Sequence, residues 1–186
     1  MISYLRLENF RSIVDSEVSF SPSGISVIIG ANGTGKTNLV RALDFVQSLA
    51  QGDLTQSVGL QGGYRSLLPK ALTYRDAQKA ITTVEYRTLL GSPDGYPENV
   101  PSPHVDHLLS FNTIARNRVT VSRESLSFSQ PLAVARALRA TEERGEQVAQ
   151  PDKAVPPSEI RFDRGPSGEV DFTAEPSLTV DHTEDL

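Results

Sequence analysis

Residues 30–37 read Gly30-Ala31-Asn32-Gly33-Thr34-Gly35-Lys36-Thr37. They fit G-x-x-x-x-G-K-[ST], the pattern of a phosphate-binding loop, at every fixed position. Just before it, Ile25-Ser26-Val27-Ile28-Ile29 is short, apolar and β-branched, and reads as a buried strand. Just after it, Asn38-Leu39-Val40-Arg41-Ala42-Leu43-Asp44-Phe45-Val46 carries apolar residues at helical spacing. A glycine turn ahead of an ordinary helix would also match the loop. The strand and helix on either side favour phosphate binding.

The chemistry accounts for the residue types. Glycines let the backbone curl tightly and approach phosphate without a Cβ in the way. The N–H groups of the loop then point inward as an anion nest. The following helix adds the positive end of its dipole and its unpaired N–H groups. Lys36 would reach the β- and γ-phosphate oxygens, and the Thr37 hydroxyl would hold Mg²⁺.

The remaining composition sets bounds. At 186 residues the chain is one domain, or one domain with an appendage. There is no Cys, which excludes disulfides and thiolate metal sites and fits a reducing cytoplasm. No apolar stretch approaches the length of a membrane span, and the first residues lack a signal peptide's basic start and apolar run. Residues 151–186 hold 3 basic and 9 acidic residues, a net −6, whereas residues 1–150 hold 15 basic and 14 acidic, a net +1. Without a long basic stripe this stretch of protein is a poor DNA-binding surface alone. The acidic end reads as a solvated surface.

Taken in order, residues 2–8 and 13–20 read as two strands ahead of the phosphate loop, with Asn9-Phe10-Arg11-Ser12 between them. Residues 51–63 are rich in Gly and Gln and read as a flexible loop. Residues 80–90, 105–115 and 118–128 read as three strands of an antiparallel meander, with Val119, Val121 and Phe128 as core positions. His104 and His107 fit no metal-ligand spacing and read as strand-edge residues. Residues 132–149 carry a moderate amphipathic helix pattern, and residues 150–158 are a Pro-rich linker. Residues 160–163 and 169–172 alternate around Arg164-Gly165-Pro166-Ser167-Gly168, a hairpin signal.

Leu5-Arg6-Leu7-Glu8-Asn9-Phe10-Arg11-Ser12, followed by the loop and then Asn38 and Val40-Arg41-Ala42-Leu43, resembles the N-terminus of the SMC/RecF-like ABC ATPases. That group includes the ATPase half of OLD nucleases and AAA-annotated phage-defence ATPases. The resemblance is specific over residues 5–43 and extends as a pattern to about residue 130. It implies an α/β fold: an ABC-ATPase-like P-loop lobe with a mixed sheet and an antiparallel meander, plus a helix and hairpin at the C-terminal end. It implies that Arg11 and Ser12 lie beside the bound nucleotide, together with the loop and Asn38. A guanidinium suits that place because it stacks on a base or pairs with phosphate. Gln61-Gly62-Gly63-Tyr64-Arg65-Ser66-Leu67-Leu68 resembles the family's glycine-pair segment, although a plain turn would look the same. Gln130 stands at a strand-to-helix junction, where such ATPases place a Mg²⁺-sensing glutamine.

Two parts of a hydrolytic site are not legible. There is no run of four apolar residues followed by Asp or Glu, and no Ser-Gly-Gly signature loop before a helix. The expected division is therefore residues 1–130 as the N-terminal lobe and residues 131–186 continuing towards a C-terminal lobe, in a longer protein or a split ATPase. The resemblance implies ATP and Mg²⁺ as cofactors. It also implies a homodimer or higher oligomer through ATP-bound heads, an effector protein, DNA through the full-length protein, and DNA repair or phage defence as the setting. An alternative is an oligomeric scaffold that binds ATP with little turnover. A kinase or GTPase is disfavoured by the two strands before the loop and by the absence of Asn-Lys-x-Asp.

Overall fold

The structure is a computed structural model that describes residues 1–21, 23–90, 102–114, 118–131 and 157–175. Seven strands form one sheet: β1 (Ile2–Phe10), β2 (Ile13–Ser19), β3 (Thr82–Leu89), β4 (His104–Ile114), β5 (Arg118–Pro131), β6 (Pro157–Arg164) and β7 (Val170–Glu175). Their order is β2-β1-β3-β4-β5-β6-β7, and every pairing is antiparallel. Four helices lie between β2 and β3 in the chain: α1 (Lys36–Gln51), α2 (Leu54–Leu60), α3 (Tyr64–Leu67) and α4 (Tyr74–Ala77).

Strand alternation sorts the side chains onto two faces. Leu5 and Leu7 stand opposite Tyr86 and Val84, which stand opposite His107 and Leu109. This face meets α1, whose Leu39, Ala42, Phe45 and Val46 are buried on one side of the helix. Phe45 sits between Phe10 and Phe111, with ring centroids 5.8 Å from each. Tyr64 closes the cluster edge-on to Phe111 and donates its hydroxyl to the Ala80 carbonyl at 2.7 Å. The opposite face is charged, with Arg6 bridging Asp15 and Glu8, and Arg87 on Asp106.

Several sequence readings match this architecture. The two strands before the loop, the three of the meander and the terminal hairpin are all present, and β6–β7 continue the same sheet as β1–β5. Other readings change. Residues 25–29 form no strand and expose Ile25, Val27 and Ile29 by 76, 79 and 90 %. A strand needs a neighbour to take its backbone N–H and C=O groups, and β2, the sheet's nearest edge, pairs only with β1. For the same reason the sheet is wholly antiparallel among the described residues, not mixed.

Residues 54–60, read as loop, are helix α2. Asp53 caps it by accepting the Gln56 N–H at 2.7 Å, and Asp-x-x-Gln is the pattern of a capping box that could have signalled it. His104 and His107 lie on β4, in the interior of the sheet and not at an edge. His107 lies between the Tyr86 hydroxyl at 2.8 Å and Glu124 at 3.0 Å. Val119 and Val121 pack against the core, whereas Phe128 is half-buried outside it. Gln130 lies near the end of β5, opposite Ser158. The helix read over residues 132–149 lies outside the described residues.

Candidate functional site

The loop between residues 30 and 36 closes onto the N-terminus of α1. Gly35 is the cap, with φ 98°, and its carbonyl accepts the N–H groups of Asn38 and Leu39 at 2.9 and 3.0 Å. Gly33 also has positive φ, at 84°. Both conformations favour glycine, which explains two of the loop's glycines physically. The first turn of α1 carries no acidic residue, so nothing on the helix offsets its positive end. Lys36 folds back over the loop and donates to the carbonyls of Gly30 at 2.6 Å and Ala31 at 2.5 Å. Thr34 donates to the Ala31 carbonyl at 3.0 Å.

The β1–β2 turn stands against this loop. Asn38 Nδ2 donates to Ser12 Oγ at 2.6 Å, and the same oxygen lies 3.5 Å from where a Cβ on Gly35 would stand. Arg11 is left-handed, with φ 55°, a conformation that costs a non-glycine residue about 1–2 kcal/mol. It is held there by two contacts with the glycine-pair segment. Its backbone N–H donates to Leu67 O at 2.5 Å, and its guanidinium donates to Gln61 Oε1 at 3.0 Å and Gln61 O at 3.3 Å. Gly62 and Gly63, at φ 88° and 86°, make the turn that presents Gln61 and α3 to Arg11. Arg11 Nε is buried and has no hydrogen-bond partner. Burial first, and then the nearby Arg41 charge, pull the Arg11 guanidinium below its ordinary pKa.

Between these elements lies a cavity of about 530 Å³. Of the residues named from the sequence, Arg11, Ser12, Asn32, Gly33, Gly35, Lys36, Thr37 and Asn38 line it. Gly30, Ala31 and Thr34 are on the loop but not in this wall. The wall also contains Arg41, Ser66, Leu68 and Lys70, which the sequence reading did not assign as site residues. Arg41 was findable: it follows Thr37 by four residues, one helical turn along the same face. Nothing local marks Lys70, which a separate segment carries to the site. Among the described residues no group of three or more His, Asp or Glu could hold a metal, and no carboxylate lines the cavity.

Comparison with known proteins places this geometry in context. Residues 1–88 match the family model described as an AAA ATPase domain. The DNA replication and repair protein RecF of a Nocardioides species is 36 % identical over 85 residues, 45 % of this chain and 20 % of the relative. The RecF of Chlamydia abortus is 44 % identical over 64 residues, 32 % of this chain and 17 % of the relative. That of Renibacterium salmoninarum is 42 % identical over 55 residues, 30 % of this chain and 14 % of the relative. The aligned part of this chain spans about a fifth, or less, of the length of these relatives.

Proposed function

Since the N-terminal part of this chain is the N-terminal lobe of an SMC/RecF-like ATPase, we propose that the cavity beside residues 30–37 binds ATP for such an enzyme. The observation that carries this reading is the convergence of three separate segments on one cavity. The loop and α1 supply N–H groups, Lys36 and Thr37. The β1–β2 turn supplies Arg11 and Ser12. Gln61 and Leu67, on either side of Gly62-Gly63, hold Arg11 in place.

The residues fit a triphosphate. Loop N–H groups and the start of α1 take its oxygens. Lys36 exchanges the Gly30 and Ala31 carbonyls for the β- and γ-phosphates. Arg11, strained and with Nε unpaired, gains the acceptor it lacks. Thr37 is the hydroxyl that would hold Mg²⁺ together with phosphate oxygens; the ion would neutralise charge during phosphoryl transfer. Among the described residues no carboxylate lines the cavity to complete that coordination or to orient water, so the residues described here bind and position nucleotide without completing hydrolysis.

The same reading assigns residues 1–130 to the N-terminal lobe of an ABC-type head. The bare Ile25–Ile29 segment then pairs with strands supplied by the rest of the head, where the acidic strand and signature loop would also lie. Head dimerisation across ATP and a role in DNA repair or phage defence follow from the resemblance, as do an effector and DNA as partners. A scaffold that holds an oligomer with little turnover is the second reading. Among the described residues the cavity wall holds no carboxylate, which favours it for this part of the protein alone.

Isothermal titration of the chain with ATP tests the binding reading. Lys36→Ala should weaken binding by about 10-fold or more, the worth of one charge-assisted contact or more. Unchanged affinity would refute it. Steady-state turnover by the full-length protein separates enzyme from scaffold.

A further inference from the structure

Arg11 lines the cavity in a conformation that the residues around it must hold. Its φ is 55°, and a left-handed arginine persists only where its surroundings over-determine it. The support comes from a turn 50 residues further along the chain. The Arg11 N–H donates to Leu67 O at 2.5 Å, and Nη2 donates to Gln61 Oε1 at 3.0 Å and to Gln61 O at 3.3 Å. Two acceptors on one terminal nitrogen restrict both the reach and the rotation of a planar guanidinium. Nε, in the same plane, is buried and has no hydrogen-bond partner among the described residues.

Gln61 itself stands on a rigid base. Its N–H and that of Gly63 donate to Val58 O at 3.2 and 3.0 Å, closing the end of α2. Gly62 and Gly63, at φ 88° and 86°, then reverse the chain. The Ser66 hydroxyl fastens this turn by donating to Gly62 O at 2.9 Å. Val58, Tyr64 and Leu67 anchor its two flanks in the core. A Cβ on Gly62 would stand 3.2 Å from Ser66 Oγ, on a backbone conformation that suits glycine. The turn therefore delivers the Gln61 amide to one place. Gln61 is not among the described residues that line the cavity, so its influence on a ligand there passes through Arg11. An arginine that is already held needs less side-chain ordering when a ligand arrives.

We propose that Gln61 is a positioning residue for nucleotide binding: it sets the Arg11 guanidinium, and the Gly62-Gly63 turn sets Gln61. This rests on the nucleotide-binding reading above and deepens it. The affinity of the cavity then depends on a glutamine that does not touch the ligand and on two glycines whose conformation places it.

The experiment is calorimetric titration of the full chain with ATP and Mg²⁺, for wild type, Gln61→Met, Arg11→Asn and the double variant. Methionine matches the length of glutamine without its acceptor, and asparagine tolerates the left-handed backbone of residue 11. Gln61→Met should weaken binding about 5-fold and Arg11→Asn about 10-fold or more. The double variant should bind within about 2-fold of Arg11→Asn, because Gln61 acts only through the arginine. Gly62→Ala displaces Gln61 without altering its side chain, and should weaken binding in the same Arg11-dependent way. In the ligand-free chain the nitrogen–proton NMR signal of Arg11 Nε, identified by its loss in Arg11→Asn, should shift in Gln61→Met. An Arg11 signal that Gln61→Met leaves in place overturns this inference and leaves the nucleotide reading standing. So does a Gln61→Met affinity within about 2-fold of wild type, or an equal loss with and without Arg11. Wild type that binds no better than Lys36→Ala overturns the nucleotide reading and this inference with it.

Discussion

Replacing Ile29 by Ala separates two pictures of the segment that leads into the phosphate loop. If residues 25–29 were a buried strand, as their composition suggests, removing this side chain would cost about 2–5 kcal/mol. The structure leaves Ile29 90 % exposed, so only about a tenth of its surface is withdrawn from water. Full burial of such a side chain contributes about 3 kcal/mol at most, which scales to about 0.3 kcal/mol here. Urea unfolding followed by circular dichroism, with the slope checked for constancy, reads the difference. Leu67→Ala provides the buried comparison: Leu67 is fully enclosed, and its truncation should cost about 2–5 kcal/mol. A loss of about 2 kcal/mol or more for Ile29→Ala in the chain alone would refute the reasoning, because it would mean the segment is already packed. If the rest of an ATPase head is supplied and pairs with this segment, the same substitution should become costly in the complex.

Three other outcomes are expected. Phe45→Ala removes the ring between Phe10 and Phe111 and should cost about 3–5 kcal/mol in urea unfolding, enough to threaten a domain of ordinary stability. Gly35→Ala forces a side chain to φ 98° and should cost about 1–2 kcal/mol. Gly30→Ala should cost less in the same assay, because its φ lies outside the left-handed region and its Cβ meets side chains alone, Thr34 Oγ1 at 3.0 Å and Lys36 Cδ at 3.9 Å. Burial first, and then the charge of Glu124, hold the Tyr86 phenol above its ordinary pKa. The folded form thus keeps the proton longer than the unfolded form, so this stability is fully present below pH ~10 and is lost as pH rises further. Melting temperatures from pH 8 to 11 should fall less steeply for Tyr86→Phe than for wild type. Equal slopes would show that Tyr86 is not responsible; some slope should remain in the variant, because Tyr64 is shifted in the same direction by its burial.

Much of the candidate site was legible because its chemistry is local. The spacing of Gly30, Gly35, Lys36 and Thr37 and the apolar period of α1 sit within about twenty consecutive residues. The turn at Arg11 and Ser12 was legible only through resemblance, and its geometry supplies the physical reason. The left-handed Arg11 is pinned by Gln61, 50 residues away in the chain, and by Leu67 beyond it. Helix α2 was legible in principle from Asp53 and Gln56 but was masked by the surrounding Gly and Gln. Lys70 was not legible, since no local pattern distinguishes a lysine that reaches a cavity from one in solvent.

The sequence by itself determined the types of the seven strands and of α1. Alternation made the strands, helical period made α1, and glycines at positive φ made the loop, because each depends on neighbours along the chain. Only the tertiary structure decided burial and company. Ile25–Ile29 has the composition of a core strand, yet it lies bare, because burial depends on what packs against a segment. Lys36 is marked by its motif and Arg11 by the resemblance, whereas Arg41 and Lys70 are unremarkable along the chain. All four line one cavity because the β1–β2 turn, α1 and the segment after α3 bring them together, with no carboxylate beside them among the described residues.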